Sequence, residues 1–304
     1  MTAPPSAPER TRVLAVSSNK GGVGKTTVAT NLGIYVRALR EDLPVLIVGL
    51  DDQRTIDRMF GLRDPEPGDP NLKHGWAERS LASAIQVGEY GVHFVASPPD
   101  VGLLKSRAED PLTLSRIIAQ TRWPGLVILD TKSDLEALTL NAYGAADRIV
   151  LPVADAASLE EAAKVFRLLE RRGFGADRAR VVFTLVDRRT RAAAGGKHLF
   201  RELIEETQRR GWPYYKTYLS RSPRVEALNS GMGRPLSILH HAQGTAAHTQ
   251  MRQLALEVLH DLDLSERLPA LEDGPDELWG RPRTVARAPA PPGAGGPIIP
   301  LRRR

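Results

Sequence analysis

The chain has 304 residues, 41% hydrophobic and 26% charged, proportions that suit a folded globular protein with a sizeable core. It contains no cysteine, which excludes disulfides, thiolate metal sites and iron–sulfur clusters. Lysine and arginine number 42 against 36 aspartates and glutamates, a net charge of +6 that leans toward polyanionic partners such as nucleic acid or an anionic membrane. No apolar run reaches the ~18 residues of a membrane span. The first twelve residues carry three prolines and no apolar stretch, so no secretory signal is expected and a cytoplasmic protein is the simplest reading.

In chain order, residues 1–11 read as a disordered lead. Residues 12–18 form an apolar run short enough for a buried strand, followed by a glycine-rich turn and a helical pattern over 25–40. Residues 44–50 form a second buried strand, and 62–80, rich in proline and glycine, read as an excursion loop. Further short apolar runs lie at 92–96, 126–129, 148–153 and 180–186. Helical patterns at 113–121, 159–172 and 197–210 separate most of them, and 252–262 reads as a final helix. Unbroken apolar strands alternating with amphipathic helices predict an α/β fold: a doubly wound, mainly parallel sheet with helices on both faces. The expected domain is 12–268. Residues 269–304, rich in proline, alanine, glycine and arginine, cannot bury a core and read as a disordered tail.

The segment with the most chemistry is Asn19-Lys20-Gly21-Gly22-Val23-Gly24-Lys25-Thr26-Thr27, lying between a predicted strand and a predicted helix. Gly21, Gly22 and Gly24 let the backbone curl so that successive N–H groups, that of Val23 included, face phosphate oxygens. The helix starting near Lys25 adds its positive end. Lys25 reaches the β- and γ-phosphates, the Thr26 hydroxyl binds Mg²⁺, and Thr27 contacts the α-phosphate. ATP and Mg²⁺ are the expected cofactors.

The standard phosphate loop has glycine at position 19. Here that position is Asn19, and a second lysine, Lys20, follows it. This variant resembles the deviant Walker A loop of the ParA/MinD family of dimerising P-loop ATPases, in a likeness covering roughly residues 11–265. The resemblance implies that Lys20 crosses a dimer interface to the partner's nucleotide, giving an ATP-sandwich homodimer. It further implies that Asp51 orients the attacking water and serves the metal site, although Gly49 stands where the family has a first acid. Asp130, closing the strand 126–130, matches the Walker B carboxylate that holds a Mg²⁺-bound water. Lys132 departs from the family's Thr-Pro-Pro. Residues 138–142 and 146–153 match family sequences closely. By the same resemblance Asp187 and Arg188 are candidate adenine contacts. Lys20, Lys25 and Asp51 are the candidate catalytic residues.

The family's DNA-segregation branch binds duplex DNA non-specifically as the ATP dimer. Arg188, Arg189, Arg191, Lys197, Arg201, Arg209, Arg210, Arg221 and Arg224 are candidates for such a face. Against this stands His241-Ala242-Gln243-Gly244-Thr245, which has neither lysine nor arginine where the family often has a basic segment. The proline-rich tail does not suit the amphipathic membrane helix of the MinD branch, so no membrane partner is expected. The resemblance therefore implies an ATP-dependent dimerising switch on non-specific DNA. It would position or segregate a cargo, sit on the nucleoid, and be reset by slow hydrolysis that a ParB-like protein or cargo adaptor stimulates. The alternative is an ATP-gated adaptor that recruits a protein without binding DNA.

Overall fold

A computed structural model describes residues 11–266 and Leu268, except positions 52, 54, 64, 65, 67, 99, 188–198, 231 and 232. The strands are β1 (Arg12–Val16), β2 (Val45–Gly49), β3 (Ile85–Val87), β4 (His93–Val95), β5 (Leu126–Asp130), β6 (Arg148–Val153) and β7 (Ala179–Phe183). The helices are α1 (Lys25–Leu39), α2 (Thr55–Phe60), α3 (Leu72–Glu78), α4 (Thr113–Thr121), α5 (Ala137–Ala145), α6 (Ala156–Arg172), α7 (Leu199–Arg209), α8 (Pro223–Ser230), α9 (Ile238–His241) and α10 (Ala246–Asp261). All lie within one compact unit, Met1–Gly274. No described helix is long and apolar enough to cross a membrane.

The strands form a single sheet in the order β3-β4-β2-β5-β1-β6-β7, parallel except for β3. Both faces are covered, which is why the central strands read as unbroken apolar runs. On one face Leu14, Val16, Val45, Ile47, Leu126 and Ile128 pack in a single core with α1 and α10 residues such as Leu32, Val36, Leu254 and Val258. The alternate strand residues Val13, Ala15, Leu46, Val48, Val127 and Leu129 are buried on the opposite face. Two long-range bonds lock the first face. Asn31 Oδ1 on α1 accepts from the Ile238 N–H, and the Tyr35 hydroxyl bonds His248 Nδ1 at 2.8 Å. The outer flank of β7 is covered by residues 214–220, whose Lys216 and Thr217 N–H groups are capped by Glu257 of α10.

The register sets up the site. Val16 of β1 and Gly49 of β2 both pair with Asp130 of β5, so the carboxyl ends of three adjacent strands finish level. β1 leads through α1 to β2, with β5 lying between the two strands, so chain order and strand order part company at this point. Crevices at such reversals are where open α/β sheets bind ligands.

Three expectations need correction. The excursion 62–80 is not wholly loop, because it contains α3. Asn71 starts that helix with a reciprocal capping box: its side chain accepts a backbone N–H while His74 accepts the Asn71 N–H. The last helix begins at Ala246 rather than 252, started by the Thr245 hydroxyl accepting from the His248 N–H. The edge strand β3 was not expected at all. The expected lead, apart from Thr11, and the expected tail from 269 onward lie outside the described residues.

Candidate nucleotide-binding site

The phosphate loop leaves β1 and enters α1 through Gly24. Gly22 and Gly24 have φ of 76° and 83°, values that L side chains rarely adopt, so the curl itself demands glycine at both. Gly21 has no such φ, and a Cβ there would meet nothing within 4 Å. Nothing inside the chain requires glycine at that position, whereas a ligand approaching the backbone closely would. α1 begins with no side-chain cap and no acid in its first turn, so its leading N–H groups stay available to an anion. The loop is braced from behind. The Thr184 hydroxyl, just past β7, donates to the Val23 carbonyl at 2.8 Å. Below it Tyr143, Ser17 and Thr131 form a buried hydroxyl chain, with bonds of 2.8 and 3.0 Å.

Lys25 is buried at the first position of α1, with its Nζ 4.0 Å from Asp51 Oδ2. Asp130 is buried beside it and shares a hydrogen bond with the Thr26 side chain, but its Oδ1 has no hydrogen-bond partner among the described residues. Burial pushes the Asp130 carboxyl up to about 6, and nearby Asp51 adds to the rise, while Lys25 and Thr26 pull it down. An orphaned buried carboxylate oxygen is costly to keep, and it fits a position meant to bind something. Among the described residues no three His, Cys, Asp or Glu side chains converge on one point. A hard cation here would therefore share few protein ligands and complete its shell with phosphate oxygens and water, as Mg²⁺ commonly does. The residues present fit Mg²⁺-nucleotide.

Two features explain departures seen in the sequence. A Cβ at Gly49 would lie 2.2 Å from Ser97 Oγ, so the space an acid would need is filled by the serine that follows β4. Ser97 is buried, its N–H bonds Asp57 Oδ1 at 3.1 Å, and it lines a small cavity with Thr26, Asp51 and Asp130. Sequence reasoning missed Ser97, which sits in no recognisable pattern, and the bracing role of Thr184, which opens the segment 184–190 that resembles the family's strand end near the adenine but pairs with Val23 only in the fold. Lys20 bonds Asp155 Oδ2 at 2.5 Å within the same chain. Asp155 is also the N-cap of α6, in a capping box with Ser158. Burial works against the Asp155 charge, but the bonds from Lys20 and Ser158 outweigh it and hold the carboxyl below its ordinary range. Asn19 bonds Glu161 on the same helix at 2.5 Å.

The outlying candidates are scattered. Asp187 is exposed after β7, and Arg188, Arg189, Arg191 and Lys197 lie outside the described residues. Arg209 and Arg210 bond Glu206, and Arg210 also bonds Glu160 and stacks 4.9 Å over Trp212. Arg221 bonds Glu226 at 2.9 Å, and Arg224 donates to the His241 carbonyl at 3.0 Å. Arg201 is exposed on α7.

A doubly wound parallel sheet, with a glycine cradle and a buried lysine at the carboxyl end of a central strand, defines the class of P-loop nucleotide-binding proteins. The family model AAA_31, described as an AAA domain, matches residues 11–171. The chain is 32% identical over 256 residues to the chromosome-partitioning ATPase Soj of Thermus thermophilus, covering 82% of this chain and 96% of that relative. It is 30% identical over 171 residues to the maintenance of carboxysome distribution protein A of Gloeobacter kilaueensis, covering 54% of this chain and 74% of the relative. In fold it resembles the crystal structure of cobyrinic acid a,c-diamide synthase from Mycobacterium smegmatis with bound ADP and magnesium. That likeness has a TM-score of 0.65 at 21% identity, over 85% of this chain and 98% of that one. The chain belongs to the ParA/MinD family of P-loop ATPases.

Proposed function

We propose that the chain is an ATP-dependent dimerising switch that positions or segregates a cargo. In this reading it binds non-specific duplex DNA in its ATP state and is reset by slow hydrolysis that a ParB-like or cargo-borne partner stimulates. The observation that carries the nucleotide reading is the partnerless Asp130 oxygen beside Lys25 and Thr26, under an uncapped glycine cradle. The partition and carboxysome-distribution relatives support the positioning role.

The chemistry assigned to this chain's own residues is mainly electrostatic. Backbone N–H groups from Gly21 to Thr27 and the α1 terminus hold the phosphates, and Lys25 neutralises their outer charge. The Thr26 hydroxyl and, through water, Asp130 would hold Mg²⁺, which would supply further charge neutralisation to the phosphates. Asp51, 4.0 Å from Lys25, orients the attacking water. Lys20 leaves Asp155 and delivers its ammonium to the partner's phosphates, a device comparable to an arginine finger. The γ-phosphate thus supplies contacts in the dimer that ADP lacks, which is what a nucleotide switch requires.

A second reading, an adaptor that recruits protein without DNA, is favoured by two observations. Arg209, Arg210 and Arg221 are already paired with carboxylates, and residues 241–245 carry no lysine or arginine. Gel shift of random-sequence duplex DNA with ATP, ADP or no nucleotide, at two salt concentrations, separates the two. A shift that needs ATP and weakens steeply with salt supports the DNA reading. Dimerisation by ATP with no shift at low salt overturns it in favour of the adaptor.

A further inference from the structure

Away from the phosphate loop, a cleft of about 710 Å³ opens between α3, the 3-10 turn Val101–Arg107 and α4. Three arginines reach it from three separate elements: Arg79 just past α3, Arg107 at the end of the turn, and Arg116 on α4. Arg79 and Arg107 are exposed and have no ion pair among the described residues. Arg116 is paired with Asp110 at 2.6 Å. The one carboxylate lining the cleft, Glu78, is turned to the Ser83 hydroxyl, which donates to it at 2.5 Å. Two arginines without an ion pair among the described residues, Arg79 and Arg107, thus line the cleft beside a third, Arg116, that Asp110 already holds.

The elements that present them are tied together by hydrogen bonds. The Trp76 indole N–H donates to the Arg107 carbonyl at 3.3 Å and fixes the end of the turn against α3. Buried Asn141 on α5 staples the next stretch: its amide donates to the Ala108 carbonyl at 2.7 Å and its Oδ1 accepts from the Leu114 N–H at 2.9 Å. Arg79 sits at φ 55°, a left-handed position usually left to glycine or asparagine, and closes α3 there. The volume falls in the ~300–1,000 Å³ range of small-molecule sites. Planar guanidinium forks are matched to phosphate and carboxylate oxygens.

We infer that this cleft is a second ligand site, separate from the phosphate loop, that takes a small molecule bearing two or more phosphate or carboxylate groups. Arg79 and Arg107 supply the main contacts, and the Thr113 hydroxyl and Gln120 amide at its wall add neutral ones. A single anionic group would engage only part of the arginine set, which is why the ligand is a polyanion.

The test is calorimetric titration of the full chain, free of metal and with ADP saturating, so that the phosphate loop does not compete. Pyrophosphate and citrate are the two probes, and they distinguish phosphate from carboxylate preference. One site per chain is expected for at least one probe. Arg79→Ala/Arg107→Ala should weaken it at least tenfold, and Arg79→Lys/Arg107→Lys should weaken it less. Arg167→Ala, on the exposed side of α6, should leave it unchanged. Circular dichroism of each variant checks that the fold is intact. Failure of both probes to bind wild type, or equal binding to the double alanine variant, overturns the proposal. So does a double variant that loses a DNA gel shift when neither probe binds wild type, since the arginines would then serve duplex DNA. None of these outcomes depends on whether ATP drives dimerisation.

Discussion

The two ends of the phosphate loop are held in opposite ways. At its C-terminal end Lys25 is built into the first turn of α1, buried, with Asp51 and Asp130 beside it. At its N-terminal end Asn19 and Lys20 are only part-buried, and polar bonds tie them to the first turns of α6. The Lys20 and Asp155 side chains retain 34% and 43% of their exposure, so water screens that pair, and it is worth no more than about 1 kcal/mol. One lysine is a fixed part of the cradle. The other is parked on a bond weak enough to be exchanged for a better partner, as the role proposed for it across a dimer requires.

The largest effect expected is at the fixed end. Lys25→Ala would remove the charge-assisted contact proposed to the phosphates and leave the Asp51 and Asp130 carboxylates without the lysine between them. ATP affinity should fall by about 100-fold, close to 3 kcal/mol, measured with a fluorescent ATP analogue. A loss under threefold would break the contrast between the two lysines.

Asp130 sharpens the same contrast through pH. Its folded-state pKa lies above the unfolded one, so its contribution to stability is fully present below about pH 4 and is lost as pH rises through about 6. In nucleotide-free, metal-free protein, Asp130→Asn should therefore raise the unfolding free energy at pH 7.5 by up to about 3 kcal/mol. The gain should fade toward pH 4. The same variant should bind Mg²⁺-ATP more weakly. Denaturant unfolding at the two pH values reads the first part, and no pH dependence of the gain would show that the carboxyl is not strained.

A smaller effect is expected where the sequence departs from its relatives. Gly49→Asp drives a Cβ against Ser97 Oγ and should cost about 1–3 kcal/mol in thermal unfolding. Adding Ser97→Ala should recover most of that. If the double variant is no better than the single, steric conflict is not the reason for glycine there.

These positions also mark what sequence reading could reach. The cradle was legible because its glycines, lysines and threonines are contiguous and their spacing is dictated by phosphate geometry. The central strands were legible because burial on both faces leaves unbroken apolar runs. β3 was not, since it has three residues and its Val87 is exposed, leaving no pattern to detect. α3 hid in a proline- and glycine-rich stretch because its start depends on a cap between Asn71 and His74 that composition does not reveal. The Lys20–Asp155 bond and the Thr184 brace join residues 135 and 161 positions apart, and only the folded sheet brings them together.

The smallest effect belongs to the exchangeable end. Asp155→Asn keeps an N-cap of similar quality for α6 but removes the charge that holds Lys20. ATP-dependent dimerisation should then strengthen by up to roughly fivefold for each of the two lysines released, the reciprocal of a bond worth at most ~1 kcal/mol. Light scattering over a concentration series measures it, and weaker dimerisation would mean Asp155 acts in the dimer itself.

The most direct measurement is sedimentation velocity of wild type and Lys20→Ala with Mg²⁺-ATP and with Mg²⁺-ADP. A wild-type dimer in ATP only is expected, with a variant that stays monomeric in both while still binding ATP. A Lys20→Ala protein that dimerises with ATP as well as wild type would contradict the claim that this lysine is released from Asp155 to act on a partner's nucleotide.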